Sequence, residues 1–437
     1  MVSTRRLSGI GLRFWWGGQR LVNWHDHCAI AAAGHETHGD PGEQYFEMVN
    51  WHYHCAIVIA RDELVERVLA AVRTAPNTTE LRELPWPELS DDSALLKVEV
   101  AGICGTDVKM YSKPPFDEPV IMGHENVGTI AAVGEKFTRL HGVGEGDRIF
   151  VEHYVGCYKC EWCRIGEYRH CEATDWRTNA DARRYGYTSA NNPGTLWGGF
   201  SEYMYLPWNA VVHKVPDSVD AELAGLVTPL SNGIEWALIA AGVGYADTVL
   251  IQGPGQQGLS QVVACKQAGA SQIIVTGATR DKARLDLALQ LGADEVIDID
   301  AEAPYDRIMD LTDGRGVDFV LDCTSRAGVA PVLLGIDALK RREGTLLIQG
   351  ELSAFPDFPV KKLTEKAITI KSARGHSYRA CELALEQLAS RRFPLERLST
   401  HRFPLNQVDR AIRALAGDTE DADVIHISLM PWLGKEP

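Results

Sequence analysis

Four cysteines crowd one short loop of the chain: Cys157, Cys160, Cys163 and Cys171, separated by two, two and seven residues, with Gly156 and Gly166 among them. Thiolates this close on a turning backbone converge on one tetrahedral zinc, and four of them fill its coordination sphere. The site therefore reads as structural, with no position left for chemistry. Ten cysteines in all would otherwise suggest disulfides, but thiols clustered this tightly point to a metal in a reducing compartment. The bound ion stabilises a loop that has little apolar content of its own.

The chain is long enough at 437 residues to need two domains, because a single hydrophobic core stops growing well short of that size. Its net charge of -15 has the wrong sign for a surface that neutralises phosphates, which argues against nucleic acid as a partner. The longest apolar runs, around Ala29 to Gly34 and Ala237 to Val243, fall short of the roughly 20 residues a membrane helix needs. The start carries Arg5, Arg6, Arg13 and the pair Trp15 and Trp16, with no uninterrupted apolar stretch or cleavage site of a secretory signal. A cytoplasmic protein without a membrane span is the expectation.

Residues 1–70 differ in texture from the rest. They hold six of the fourteen histidines and a near-duplicate, in which Val22, Asn23, Trp24, His25, His27 and Cys28 recur as Val49, Asn50, Trp51, His52, His54 and Cys55. Two copies are too few for a repeat architecture. This segment is read as an extension of no assigned role. From Ala71 the chain becomes β-rich: Leu95 to Ala101 alternates as a half-buried strand, and short strands follow in Ile121 to Val133, Asp147 to Glu152 and Phe200 to Leu206. Beyond Leu230 strands and helices alternate, with strands at Thr248 to Gln252, Gln272 to Thr276, Glu295 to Asp298, Phe319 to Asp322 and Thr345 to Gln349. Alternating βα units specify a doubly wound parallel sheet. The expected division is 71–229 with 368–437 as a β-rich domain and 230–367 as a dinucleotide-binding domain.

Two segments carry further chemistry. Cys104 ends a predicted strand in GICGTD, and His124 and Glu125 stand in IMGHENVG. A thiolate and an imidazole held on β structure make a plausible open metal site, although a buried cysteine and a structural histidine would fit the same letters. The strand Asp247 to Gln252 runs into Gly253, Pro254, Gly255, Gln256, Gln257 and Gly258 and then into a helix. That context turns a GxGxxG pattern into a pyrophosphate cradle at a helix N-terminus. The acidic residue that usually grips the ribose 2′-hydroxyl should follow about twenty residues later, and the position holds Gly277. With Arg280, Lys282 and Arg284 just beyond, a 2′-phosphate is accommodated, so the reading leans from NAD towards NADP.

Taken in order, GICGTD, GHENVG, the four-cysteine loop, GGFSEY (Gly198 to Tyr203), GPGQQG and THRFPL (Thr400 to Leu405) resemble the zinc-dependent medium-chain alcohol and polyol dehydrogenases over Ala71 to Ile427. The resemblance implies a GroES-like catalytic domain with a Rossmann domain inserted, a cleft between them, and a homodimer or homotetramer. It makes Cys104 and His124 catalytic zinc ligands, Glu125 a carboxylate that binds the metal or stands just behind it, and Thr106 the hydroxyl that receives the substrate proton. Lys109 stands where the family's relay histidine would. The family's third ligand, a Cys or Glu, should fall within LVTPLSNG, but this chain has Thr228 there. Either Cys104, His124, Glu125 and a water complete the sphere, as in the sorbitol-type branch, or the site is weak.

The expected reaction moves a hydride between a primary or secondary alcohol, polyol or aromatic alcohols included, and NAD(P), giving an aldehyde or ketone. A zinc-free enone or quinone reductase of the same fold and an inactive nucleotide-binding protein are the rival readings. The aromatic and polar loop Ala173 to Trp197 either shapes the substrate pocket or is a surface insertion.

Overall fold

The structure is a computed structural model that describes residues 67–114, 118–350, 352 and 354–435. The duplicated histidine-rich segment lies outside the described residues. Chain order begins with β1 (Arg67–Ala75), β2 (Thr78–Pro85) and β3 (Ala94–Ile103), followed by β4 (Val120–Ile121), β5 (Glu125–Val133), β6 (Arg148–Val155), β7 (Tyr203–Leu206) and β8 (Ala210–Lys214). The ordinary β texture thus starts at Arg67, slightly before the expected Ala71. Valine and alanine at alternating buried positions of β1 explain this, since a strand needs one covered face.

The parallel sheet comes next: β9 (Thr248–Gln252), β10 (Gln272–Gly277), β11 (Glu295–Asp298), β12 (Phe319–Asp322), β13 (Thr345–Ile348) and β14 (Thr369–Ser372). Its spatial order is β11-β10-β9-β12-β13-β14, and every pairing is parallel. This is the doubly wound order of a dinucleotide-binding fold, with the switch point beside β9. Both faces are covered. Val249 and Ile251 of β9 point into one core with Val262 and Val263, while Leu250 points into another with Ile274, Val320 and Leu346. Central strands buried on both sides read as continuous apolar runs, which is why β9 and β12 were visible in sequence.

One boundary differs from expectation. The strand in AITIKSARG, read as the start of the returning tail at residue 368, is β14, and it pairs with β13 at the edge of the parallel sheet. The β-rich sheet is regained only by β15 (Ser399–Pro404) and β16 (His426–Met430), in the order β15-β16-β3-β5-β6-β8 with β7 on β3. A separate sheet has the order β2-β1-β4. A continuous core joins the two lobes, running from Val100, Val127 and Phe150 through Leu226, Val227 and Leu230 to Ile251. Among the described residues no helix is long and apolar enough to cross a membrane.

Candidate metal centre and nucleotide loop

Strand β3 ends at Ile103, and Cys104 caps the helix Gly105–Ser112. Its sulfur accepts from the Thr106 amide at 3.2 Å. Across the sheet, β5 begins with Glu125, paired in register with Gly102 of β3. A side chain at 102 would put its Cβ 2.5 Å from the Glu125 Oε2, so the glycine of GICGTD leaves the space that the carboxylate fills. The result is convergence. Cys104 Sγ and His124 Nε2 lie 3.0 Å apart, and the ligand atoms of Cys104, His124 and Glu125 all fall within 4.8 Å of one another.

Each of the three is buried, and Glu125 Oε2 is sealed from solvent with no hydrogen-bond partner. Burial pushes the Glu125 carboxyl up to about 7, against the pull of His124. A thiol, an imidazole and an orphaned carboxylate oxygen in one buried spot fit the donor set of a zinc-type ion. At His124 burial opposes the positive charge, but Asp107 and Cys104 outweigh it and hold the pKa well above the ordinary value.

Sequence reasoning left Asp107 without a role. It is fully buried, one carboxylate oxygen accepts from the Cys104 amide at 3.0 Å, and the other lies 3.3 Å from His124 Nδ1. A carboxylate behind a ligand histidine fixes its tautomer and leaves Nε2 free to bind metal. The signal was available in GICGTD, because ligand histidines commonly have such a partner.

The other expected residues divide. Thr106 is partly buried beside Cys104, whereas Lys109 is exposed. Thr228 is buried on the helix Val227–Ile234, and its hydroxyl has no hydrogen-bond partner. The loop Ala173 to Trp197 is not a mere surface insertion: Tyr185, Leu196 and Trp197 are buried, and the Tyr187 ring lies 5.9 Å from that of His124. With Trp176, Arg184 and Ser189 it lines a cavity; Cys104, His124 and Glu125 do not line it, and Tyr187 is its link to His124.

The four cysteines gather as well, their sulfurs within 4.8 Å of one another and those of Cys157 and Cys163 3.9 Å apart. The amides of Cys160 and Cys163 donate to the sulfurs of Cys157 and Cys160 at 3.4 Å each. Burial works against a thiolate at Cys157, but the Lys159 and Cys160 amides outweigh it and lower the pKa to about 6. Burial pushes the Cys163 and Cys171 thiols up instead, so it is the convergence of four sulfurs, more than their acidity, that suits a closed zinc site.

The glycine loop follows β9. Gly253 has φ +92°, and a Cβ on Gly258 would stand 2.0 Å from the Gly253 carbonyl oxygen. The helix Gln256–Ala268 begins after Gly255 with no side-chain cap, which leaves first-turn amides of Gln256 and Gln257 for an anion. Gly277 ends β10 at the expected ribose position, and a Cβ there would meet Pro254 Cγ at 2.9 Å. Lys282 pairs with Asp286 and Arg284 with Asp281, so neither stands free for a 2′-phosphate. Arg280 is exposed.

Comparison with known proteins places these features in context. The family model described as "Alcohol dehydrogenase GroES-like domain" matches residues 90–217, and "Zinc-binding dehydrogenase" matches residues 258–390. A probable alcohol dehydrogenase of Mycobacterium tuberculosis is 35% identical over 83% of this chain and 98% of its own length. An erythritol/L-threitol dehydrogenase of Mycolicibacterium smegmatis is 30% identical over 64% of this chain and 75% of its own length. Among solved structures, a benzyl alcohol dehydrogenase of Acinetobacter calcoaceticus superposes with a TM-score of 0.70 at 27% identity, covering 84% of this chain and 99% of that one.

Proposed function

Since the chain belongs to the zinc-type alcohol dehydrogenase family, we propose that it oxidises an alcohol to an aldehyde or ketone, and runs the reverse reduction, with NAD(P) as hydride partner. The observation that carries this reading is the buried meeting of Cys104, His124 and Glu125.

Cys104, His124 and Glu125 would hold the catalytic ion, and Glu125 occupies the role that Thr228 cannot. Zinc in that position supplies Lewis acidity that lowers the pKa of an alcohol hydroxyl, while the dinucleotide supplies the redox chemistry. Asp107 keeps the His124 ring in one tautomer. The Thr106 hydroxyl takes the proton that leaves the alcohol; exposed Lys109 passes it to solvent. Tyr187 and the loop around it wall the cavity, which limits water near the reacting carbon. Gly253, Gly255 and Gly258 let the backbone approach the pyrophosphate, and the amides of Gln256 and Gln257 meet its charge.

The cysteine loop would hold a second, structural zinc. Gly277 with exposed Arg280 keeps the lean towards NADP, although the pairing of Lys282 and Arg284 removes two of its supports. Family likeness also supports a homodimer or homotetramer. The test is a panel of primary, secondary, polyol and aromatic alcohols assayed with NAD and with NADP, with bound metal measured on the same sample. Turnover that depends on Cys104 and His124 is expected. Undiminished activity in Cys104→Ala and His124→Ala removes the assignment.

A further inference from the structure

A further group of potential ligands lies where the β-rich sheet meets the segment after the parallel sheet. Glu152 comes from β6, His376 from the turn after β14, and Cys381 from the first turns of the helix Tyr378–Ser390. All three are buried, with relative exposures of 1%, 1% and 0%. One ligand atom from each lies within 4.8 Å of the other two.

The hydrogen bonding around this group leaves its inner side bare. His376 Nδ1 meets the Asn232 side-chain oxygen at 2.9 Å; that oxygen can only accept, so Nδ1 carries a proton and, in the neutral ring, Nε2 presents the lone pair. Glu152 Oε1 is engaged by His213 Nε2 at 3.0 Å, which leaves Oε2. Both His376 Nε2 and Glu152 Oε2 are shielded from solvent and make no hydrogen bond. A neutral His376 and the Glu152 carboxylate thus face each other as acceptors across 3.9 Å in a buried place beside the Cys381 thiol, a cost that a cation among the three, or a proton on His376, relieves.

The spacing itself discriminates. A direct imidazolium–carboxylate bond would close to about 2.8 Å, whereas two ligand atoms sharing a tetrahedral zinc stand roughly 3.3–3.8 Å apart for bonds of about 2.0–2.3 Å. The observed gap of 3.9 Å is too long for the first and just longer than the second, so the two ligands would close slightly on an ion.

We propose that Glu152, His376 and Cys381 form a third metal site that takes a divalent cation of the zinc type, separate from the Cys104 centre and the cysteine loop. Mixed O, N and S donors suit zinc rather than magnesium or calcium. Asn232 and His213 act as its outer supports, one fixing the His376 tautomer and the other aiming the Glu152 carboxylate. The ion ties β6 to the helix that follows the parallel sheet. It also anchors His153, next to Glu152, whose ring stands 5.5 Å from His124 and 6.3 Å from His376.

The test is metal content by mass spectrometry on full-length protein grown in zinc-replete medium and dialysed free of loose metal. Wild type should carry three ions per chain. His376→Ala and Cys381→Ala should each carry one fewer, with far-UV circular dichroism unchanged, while Cys381→His, which restores a ligand, should recover the third. A wild-type count of two overturns the proposal and leaves a metal-free His376–Glu152 ion pair; so does a third ion that survives both alanine variants. Should the alanine variants fail to fold, His376→Gln and Cys381→Ser replace them in the same count, and a third ion that survives both again overturns the proposal. Because the readout is stoichiometry, failure here leaves the proposed dehydrogenase activity standing.

Discussion

Replacing Asp107 by Asn isolates what the buried carboxylate does for the candidate catalytic centre. The two side chains have nearly the same volume, so no cavity opens and packing terms drop out. The wild-type group accepts a hydrogen bond from the Cys104 amide at 3.0 Å and sets its other oxygen 3.3 Å from His124 Nδ1 as an ion-pair contact. An amide offers a single acceptor oxygen. Whichever contact that oxygen keeps, the NH2 group is turned towards another N–H, and the negative charge behind His124 is gone. Hydrogen bonds to charged groups contribute about 1.5–3 kcal/mol, so a loss of about 2 kcal/mol, or roughly thirty-fold, is expected in metal affinity. This agrees with the 10- to 100-fold cost typical of losing an outer carboxylate partner.

The assay is equilibrium competition with a chromophoric chelator, following the weaker-held ion while the cysteine-loop ion serves as an internal reference. Asp107→Asn should release zinc at a correspondingly lower chelator concentration, with an unchanged unfolding midpoint in the metal-saturated state to within about 1 kcal/mol. Asp107→Ala should add a helix-capping loss of about 1 kcal/mol. An Asp107→Asn variant that holds metal as tightly as wild type would refute the tautomer argument.

Two other perturbations address the nucleotide side. Gly258→Ala puts a methyl group 2.0 Å from the Gly253 carbonyl; overpacking of about 1–3 kcal/mol should displace the loop and weaken NADH or NADPH binding by roughly 5- to 150-fold, and a fluorescence titration with unchanged Kd would contradict the close-approach reading. His426, whose Nδ1 meets the Gln256 side-chain oxygen at 2.9 Å, has its pKa lowered by burial to about 4. Below the ordinary value the unfolded chain binds a proton that the folded chain refuses, so stability is full above about pH 6.5 and falls as the pH drops towards 4. Between pH 7 and 5 that loss should be about 2 kcal/mol in urea unfolding, and His426→Gln should lack that share; equal losses in both proteins would sink it.

Much of this arrangement was legible because its signals are local. The parallel sheet was legible from strands such as β9 and β12, largely apolar and alternating with helices, and the cysteine loop from spacing alone, whereas the spatial order of the strands came only with the structure. What sequence could not show depends on distance along the chain. β14 is exposed except at half-buried Ile370, as an edge strand can be, so nothing in AITIKSARG distinguishes an outer strand of the parallel sheet from one that rejoins the β-rich lobe. The loop Ala173 to Trp197 advertised its aromatics but not their burial, since that depends on where the four-cysteine loop and β6 place it.

The same argument explains the two kinds of metal centre. In the cysteine loop the ligands are neighbours in sequence, so chain entropy assembles them cheaply and the pattern is visible as text. At Cys104 the partners are twenty residues apart but share one sheet, and register does the assembling: Gly102 faces Glu125 because β3 and β5 pair antiparallel. Glu152 and His376 belong to segments brought together only after the whole parallel sheet has been inserted between them. No window of sequence contains that third cluster. Its carboxylate and imidazole were unremarkable letters until the fold left Glu152 Oε2 and His376 Nε2 buried, facing each other and unpaired. A buried polar atom without a partner is therefore an observation that sequence periodicity cannot supply, and it points to a metal only where other ligand atoms converge on it, as at Glu125 and at the Glu152–His376 pair.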